Sequence, residues 1–245
     1  MDRSAYASMS AQEADHWWFV ARRMIIDELI RSHVPLKDGA RVLEAGCGTG
    51  GNLALLAGHG TLDAFEYDGE ARGLAQAQAD ALGIGTIAAG ALPDGIGFGD
   101  TRYDMIALLD VLEHVDEDAA SLSALGGRLN DDGRLLVTVP AAPWLWSEHD
   151  ELHHHKRRYT RAGFCAVAEQ AGLTVQAAGY FNSLLFPVAV VQRIAHQVLK
   201  SKTALDARPS PMVNGLLQSI FAAERHVLGK VPFPVGLSLY AVLSR

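Results

Sequence analysis

Arg41-Val-Leu-Glu-Ala-Gly-Cys-Gly-Thr-Gly-Gly-Asn52 decides the fold of this 245-residue chain. A short apolar run carries an acid, Glu44, near its end, and three alternate glycines follow, Gly46, Gly48 and Gly50. An apolar pattern at helical spacing begins at Leu53. The stretch predicts a strand, a tight turn and a helix. Glycine lets a backbone approach a ligand closely, and the first turn of a helix offers it unpaired N–H groups. A nucleotide-type cofactor site is the expectation.

Downstream, Leu62–Glu66 reads as a second strand, ending in Glu66-Tyr67-Asp68-Gly69, with a helix over 70–82. A weak strand at 86–88 is followed by a glycine-rich loop at 90–102. Tyr103–Leu109 is almost unbroken apolar sequence, as in a central strand buried on both faces, and runs into Asp110-Val-Leu-Glu-His114. A helix is predicted from Asp116 to Leu129, a turn at Asn130-Asp-Asp-Gly133 and a strand at Arg134–Val139. Later segments predict a helix over 160–171, a strand at 173–178, helices at 183–200 and 212–228, and a last strand at 236–243. Short apolar strands alternating with helices predict an α/β protein, a parallel sheet between two helical layers. Ligands of such sheets lie beyond the C-terminal strand ends. Glu44, Glu66, Asp110 and His114 all fall at or just after such ends.

Composition narrows the function. The formal charge is −7, and basic residues are scattered apart from Lys156-Arg157-Arg158. No basic stripe is present, so no nucleic-acid partner is expected. The two cysteines, Cys47 and Cys165, have no CxxC spacing, which fits a reducing, cytoplasmic setting. The first residues include Asp2, Glu13 and Asp15 and lack the apolar core of a signal peptide. The longest uncharged run, between Gly172 and Arg193, contains Gln176, Asn182, Pro187 and Gln192, so no membrane span is expected. Residues 1–34 read as a helical cover with Trp17, Trp18, Val20, Ala21, Met24, Ile25, Leu29 and Ile30 on one side. That stripe either packs on the domain or covers the cofactor, with Arg22 or Arg23 meeting a carboxylate.

Gly46-x-Gly48-x-x-Gly51 also fits the dinucleotide fingerprint, with Glu66 where its ribose ligand falls. The glycines alone therefore leave NAD and S-adenosylmethionine (SAM) both open. Glu44 with Gly46, Gly48 and Gly50 makes acid-x-Gly-x-Gly-x-Gly, which resembles motif I of the class I SAM-dependent methyltransferases. The resemblance continues at Glu66, at Asp110-Val-Leu-Glu-His-Val115 and at Asp132-Gly-Arg-Leu-Leu-Val137. It implies a three-layer sandwich around a seven-stranded, mostly parallel, Rossmann-like sheet with an antiparallel last strand. One domain over 1–245 is expected, with a helical insert at about 180–235 between the last two strands.

The resemblance implies SAM as cofactor and S-adenosylhomocysteine (SAH) as product. Glu44 is expected at the ammonium or bracing the loop, Gly46 and Gly48 along the sulfonium and ribose, and Glu66 on the ribose hydroxyls. Cys47, Gly50, Asn52, Tyr67, Asp110 and Arg22 complete the expected cofactor set. Many members carry an adenine-binding acid after the third strand; this chain reads Gly90-Ala-Leu-Pro93 there. The backbone of Ala91 and Leu92 is expected to take that role.

The acceptor side is less determined. The loop Trp144–Thr160 holds His149, the run His153–His155, Arg157 and Arg158. Its His-Asp and Arg-Arg-Tyr-Thr segments, with Trp17-Trp18 and Leu185-Phe-Pro187, are similar to a bacterial subgroup of these methyltransferases. His149 or His153 is a candidate general base, and His114 a base or an acceptor-positioning residue. Arg157 and Arg158 either hold an acceptor anion or brace the loop. Asp110, Glu113 and His114 form a donor set for a divalent cation, but the same segment is widespread in members that use none. No metal ligand is expected. The expected reaction is methyl transfer to an O, N or C nucleophile of a small molecule, by a monomer or homodimer. Two alternatives stay open. One is a lipid-like or polyprenyl acceptor at a membrane surface, motivated by the 183–200 stretch with Phe181, Leu184, Leu185 and Phe186. The other is a non-catalytic SAM-binding protein.

Overall fold

The computed structural model describes residues 3–199 and 209–245; the side chains of 3–5, 7, 8, 149 and 193–199 lie outside the described set. Seven strands form one sheet in the order β3-β2-β1-β4-β5-β7-β6. They are β1 (Arg41–Ala45), β2 (Thr61–Glu66), β3 (Ala88–Ala89), β4 (Tyr103–Leu109), β5 (Leu129–Pro140), β6 (Thr174–Phe181) and β7 (Ser238–Ser244). The pairs from β3 to β5 are parallel, and β7 runs antiparallel to both β5 and β6. This is the expected mostly parallel Rossmann-like sheet.

The helices are α1 (Arg3–Glu13), α2 (Trp17–His33), α3 (Leu53–Ala57), α4 (Gly69–Leu82), α5 (Asp118–Gly126), α6 (Glu148–Leu152), α7 (Arg161–Gln170), α8 (Phe186–Leu199) and α9 (Pro211–Ala223). Strand alternation splits the core between them. Val42, Met105 and Ala107 face Ile25, Leu53, Ala75 and Phe221 of α2, α3, α4 and α9. Leu43, Ile106 and Leu108 face Leu122, Leu125, Phe164 and Ala168 of α5 and α7.

Local departures have local causes. The helix expected to reach Leu129 stops at Gly126, where the space for a Cβ is filled by Leu173 Cδ2 at 2.6 Å. Residues 130–133 do turn, but within β5: Leu129 pairs with Tyr103 and Arg134 with Met105, so the four residues between bulge from the ladder. The N-terminal cover is two helices. The chain breaks at 14–16, where the amides of Asp15 and His16 both return to the Gln12 carbonyl.

The insert between β6 and β7 holds α8 and α9. Buried Glu224, just after α9, takes the Ser183 and Leu184 amides on one oxygen at 2.7 Å each and so ties α9 to the end of β6. Phe181 stacks on Phe221 and is fully buried, and Leu185 is also buried; Leu184 is exposed. Half of the apolar set that motivated a membrane reading is therefore core. Arg193, His196 and Lys200 fall outside the described side chains. Among the described residues no helix is long and apolar enough to cross a membrane.

Candidate functional site

β1 delivers the chain into a turn in which Gly46, Gly48 and Gly50 all have positive φ, at 72°, 56° and 96°. A Cβ on Gly46 would meet Val111 Cγ2 at 2.9 Å, and one on Gly50 would meet the Ala75 Cα at 3.1 Å. Those positions need glycine for space as well as for φ. The amides of Gly46 and Cys47 both donate to the Phe65 carbonyl at 3.0 Å, which pins the turn to the end of β2. Glu66 then crosses it: one oxygen accepts Gly48 N–H and the other Asp68 N–H, each at 2.8 Å.

Glu44 is buried beneath the turn. One oxygen accepts from Asn52 Nδ2 at 3.1 Å and the other has no hydrogen bond. Burial pushes its pKa up to about 8, so the carboxyl holds its proton at neutral pH. Beyond β4, Asp110 sits at φ 55° and pairs with Arg22 Nη2 at 2.7 Å, and Thr138 Oγ1 bonds both groups. The Arg22 guanidinium also lies over the Trp18 ring, 5.3 Å from its centroid. Thr138, a buried polar residue inside the apolar run Leu135–Val139, is the signal in sequence that this strand end serves a site.

α1 lies over the glycine turn, while α2 reaches the ends of β4 and β5 through Arg22. Glu13 Oε1 accepts the Thr49 hydroxyl, and the Met9 methyl stands 4.0 Å from where a Gly48 Cβ would be. Burial, and then the charges of Asp68 and Glu66, push the Tyr6 hydroxyl up to about 12. Arg23 reaches the Glu13 carbonyl at 2.7 Å rather than a ligand. Tyr67 is 78% exposed, and the Ala91 amide is already donated to Gly95 O at 3.1 Å. A groove of about 810 Å³ lies elsewhere, lined by Glu13, Arg23, Asp27, Ala54, His59 and Gln78 among others. None of the strand-end acids borders it.

On the acceptor side the loop after β5 folds back over the end of β4. Fully buried Asp150 is its hub: it accepts from Arg158 Nε at 2.6 Å and from Ser147 N at 2.9 Å, and pairs with His155 Nδ1 at 2.9 Å. Arg157 pairs with Asp118 at 2.7 Å, and Lys156 with Asp116. The basic cluster thus braces the loop and is not held open for an anion. The rings of His114 and His155 meet edge to face at 4.8 Å, and His153 lies 5.9 Å from His155. His149 lies on α6, with its side chain outside the described set. Burial first, then His155, pushes His114 down to about 4, so it is neutral at pH 7. Glu113 is buried and raised well above the carboxylate range by burial and the nearby Asp110 charge. The sequence offers His155 only within the run 153–155 and Asp150 only within a His-Asp segment; the fold brings His155, held by Asp150, to Glu113 and His114.

Structures of like fold include the Haloferax volcanii complex of the Trm112 methyltransferase activator with a methyltransferase (TM-score 0.61, 17% identity, 98% of this chain and 94% of that one). A Bacillus halodurans methyltransferase structure aligns at TM-score 0.58 and 16% identity, over 89% of this chain and 97% of that one. The Streptomyces coelicolor geranyl diphosphate C-methyltransferase, in complex with Mg2+, geranyl diphosphate and SAH, aligns at TM-score 0.57 and 12% identity, over 90% and 78%. These likenesses establish the fold. No curated protein matches the sequence. The family model described as a methyltransferase domain matches residues 16–178, two thirds of the chain and every strand from β1 to β5. On that match, and with a glycine turn crossed by Glu66 at its sheet edge, the chain belongs to the methyltransferase-domain family, of the class I Rossmann-like kind.

Proposed function

We propose that the protein transfers the methyl group of SAM to an O, N or C nucleophile of a small molecule, acting as a single domain. The setting of Glu66 carries the reading. Each of its oxygens holds one backbone N–H at 2.8 Å. A carboxylate oxygen accepts twice, so each keeps one further place, and the pair matches the vicinal hydroxyls of a ribose. Glu44 supports the same occupant, since its buried oxygen without a hydrogen bond suits an ammonium or a bridging water. Gly46, Cys47, Gly48, Gly50 and Asn52 line the donor along the turn. Tyr67 flanks the ribose, and the Ala91 carbonyl with Leu92 serves the adenine. Asp110 and Arg22 close the methionyl end.

Bound there, SAM supplies a methyl group already activated on a sulfonium. The chain's own task is alignment and exclusion of water. The α1 roof, fastened by Glu13 to Thr49, excludes water above the turn. Neutral His114 positions an acceptor hydroxyl or amine by hydrogen bonding, and His153 or His149 takes the proton where the nucleophile carries one.

Calorimetry tests the reading without knowledge of the acceptor. One equivalent of SAH binds and NAD does not. No heat with SAH at high micromolar concentration ends the proposal.

A second reading, a lipid-like acceptor met at a membrane surface, is favoured by one observation. Val188, Val191, Met212 and Leu216 of the insert are all exposed, at 55%, 66%, 85% and 60%. Co-sedimentation with vesicles tests it, and absence of binding with or without anionic lipid removes it.

A further inference from the structure

We propose that Glu113, His114 and His155 form a divalent transition-metal site whose open coordination position takes an oxygen of the acceptor. The first observation is Glu113 itself. It is 1% exposed, and its Oε2 makes no hydrogen bond. A buried acceptor left without a partner costs about 1–3 kcal/mol, so the fold must offer it a proton or a cation.

The second observation is what surrounds it. Ligand atoms of Glu113, His114 and His155 all lie within 4.8 Å of one another. Around a tetrahedral ion with bonds of about 2.0–2.1 Å, neighbouring donors sit about 3.3 Å apart. Closing on an ion therefore draws the widest pair of donors together by up to about 1.5 Å.

His155 also carries the outer partner that metal-bound histidines carry. His155 Nδ1 pairs with Asp150, itself fixed by Arg158 and Ser147, which assigns Nε2 as the ligating atom. Asp110 stays out of the set because Arg22 and Thr138 hold it. Arg22 is taken up by Asp110 and Arg158 by Asp150, so neither guanidinium is committed to Glu113.

Two imidazoles and one carboxylate select zinc or a neighbouring first-row ion over magnesium or calcium. Three protein ligands leave a position open, as in catalytic zinc sites. Val111, two residues before Glu113, packs on Gly46 and ties this segment to the glycine turn. Its role toward the acceptor rests on the methyl-transfer reading; the binding of the ion does not.

The test uses untagged full-length protein, stripped with a chelator and titrated with Co(II). Binding is followed by calorimetry and by visible absorption, and SAH binding is measured on the same samples. One equivalent binds and gives the absorption of a four- or five-coordinate ion. Glu113→Gln and His155→Ala each weaken binding by more than about tenfold, and His154→Asn, in the same histidine run, does not. All variants keep SAH binding, which shows that they fold. Absence of stoichiometric Co(II) and Zn(II) binding by the wild-type chain overturns the proposal. So does a His155→Ala variant that binds as tightly as wild type. Loss of SAH binding by the wild-type chain would instead strike the methyltransferase reading and leave the metal result standing.

Discussion

Glu13 Oε1 accepts the hydroxyl of Thr49 at 2.6 Å, and this bond fastens α1 to the glycine turn. A Cβ on Gly51 would stand 2.6 Å from the Glu13 carboxyl, so the two segments meet as closely as a glycine allows.

Glu13→Ala is therefore expected to release α1 while sparing the sheet. Losing the partner of a buried hydroxyl costs about 1–3 kcal/mol, here felt locally. Hydrogen exchange of residues 3–13 should accelerate by roughly tenfold or more, with the melting temperature little changed. Unchanged exchange in α1 would mean that the bond does not hold the roof.

Glu66→Ala is expected to weaken SAH binding by about 100-fold, close to 3 kcal/mol. Two charge-assisted bonds to a diol are lost together. Calorimetry on a variant with a native circular dichroism spectrum is the measurement. A change below about threefold removes Glu66 from the ribose.

Glu44 gives a pH signature. Its pKa is raised from 4.5 to about 8, so between those values the folded chain binds a proton that the unfolded chain has lost. Stability contributed at this position is complete below about pH 4.5 and falls as pH rises toward 8, by up to about 1.4 kcal/mol per unit. Glu44→Gln should escape the loss. Its stability relative to wild type, from urea denaturation, should improve by on the order of 3 kcal/mol between pH 5 and pH 8. A difference that stays constant over this range refutes the assignment.

Asp150→Asn tests the acceptor loop. The substitution strips the charge partner from Arg158, whose side chain is 5% exposed, and a broken buried pair costs about 3–5 kcal/mol. For a chain of this length the melting temperature should drop by about 10 °C. A loss under about 1 kcal/mol would show that the loop reorganises freely around the site.

Sequence periodicity reaches the sheet and the glycine turn because those features are local. The run Tyr103–Leu109 can only be a central strand, and Glu44, Glu66 and Asp110 follow their strands directly. Contacts made across the chain are not local. Glu13 meets Thr49 over 36 residues, and no feature of the polar N-terminus announces it. His155 meets His114 because the loop after β5 folds back, a path fixed by Arg158 and Asp150 rather than by any spacing. Arg157 and Arg158 look in sequence like an anion clamp, and their partners Asp118 and Asp150 become visible only in the fold.

The position of β7 between β5 and β6 has a consequence during synthesis. β5 is complete at Pro140, yet the strand that pairs with its outer edge begins at Ser238. At about 5–20 residues per second the ribosome leaves that edge open for on the order of ten seconds. The exposed strand is Leu135-Leu-Val-Thr-Val139, an uncharged sequence of the kind that pairs with foreign strands. A nascent chain stalled within the α8–α9 insert would be the species that chaperones bind and that aggregates, and the addition of one late strand would end that exposure.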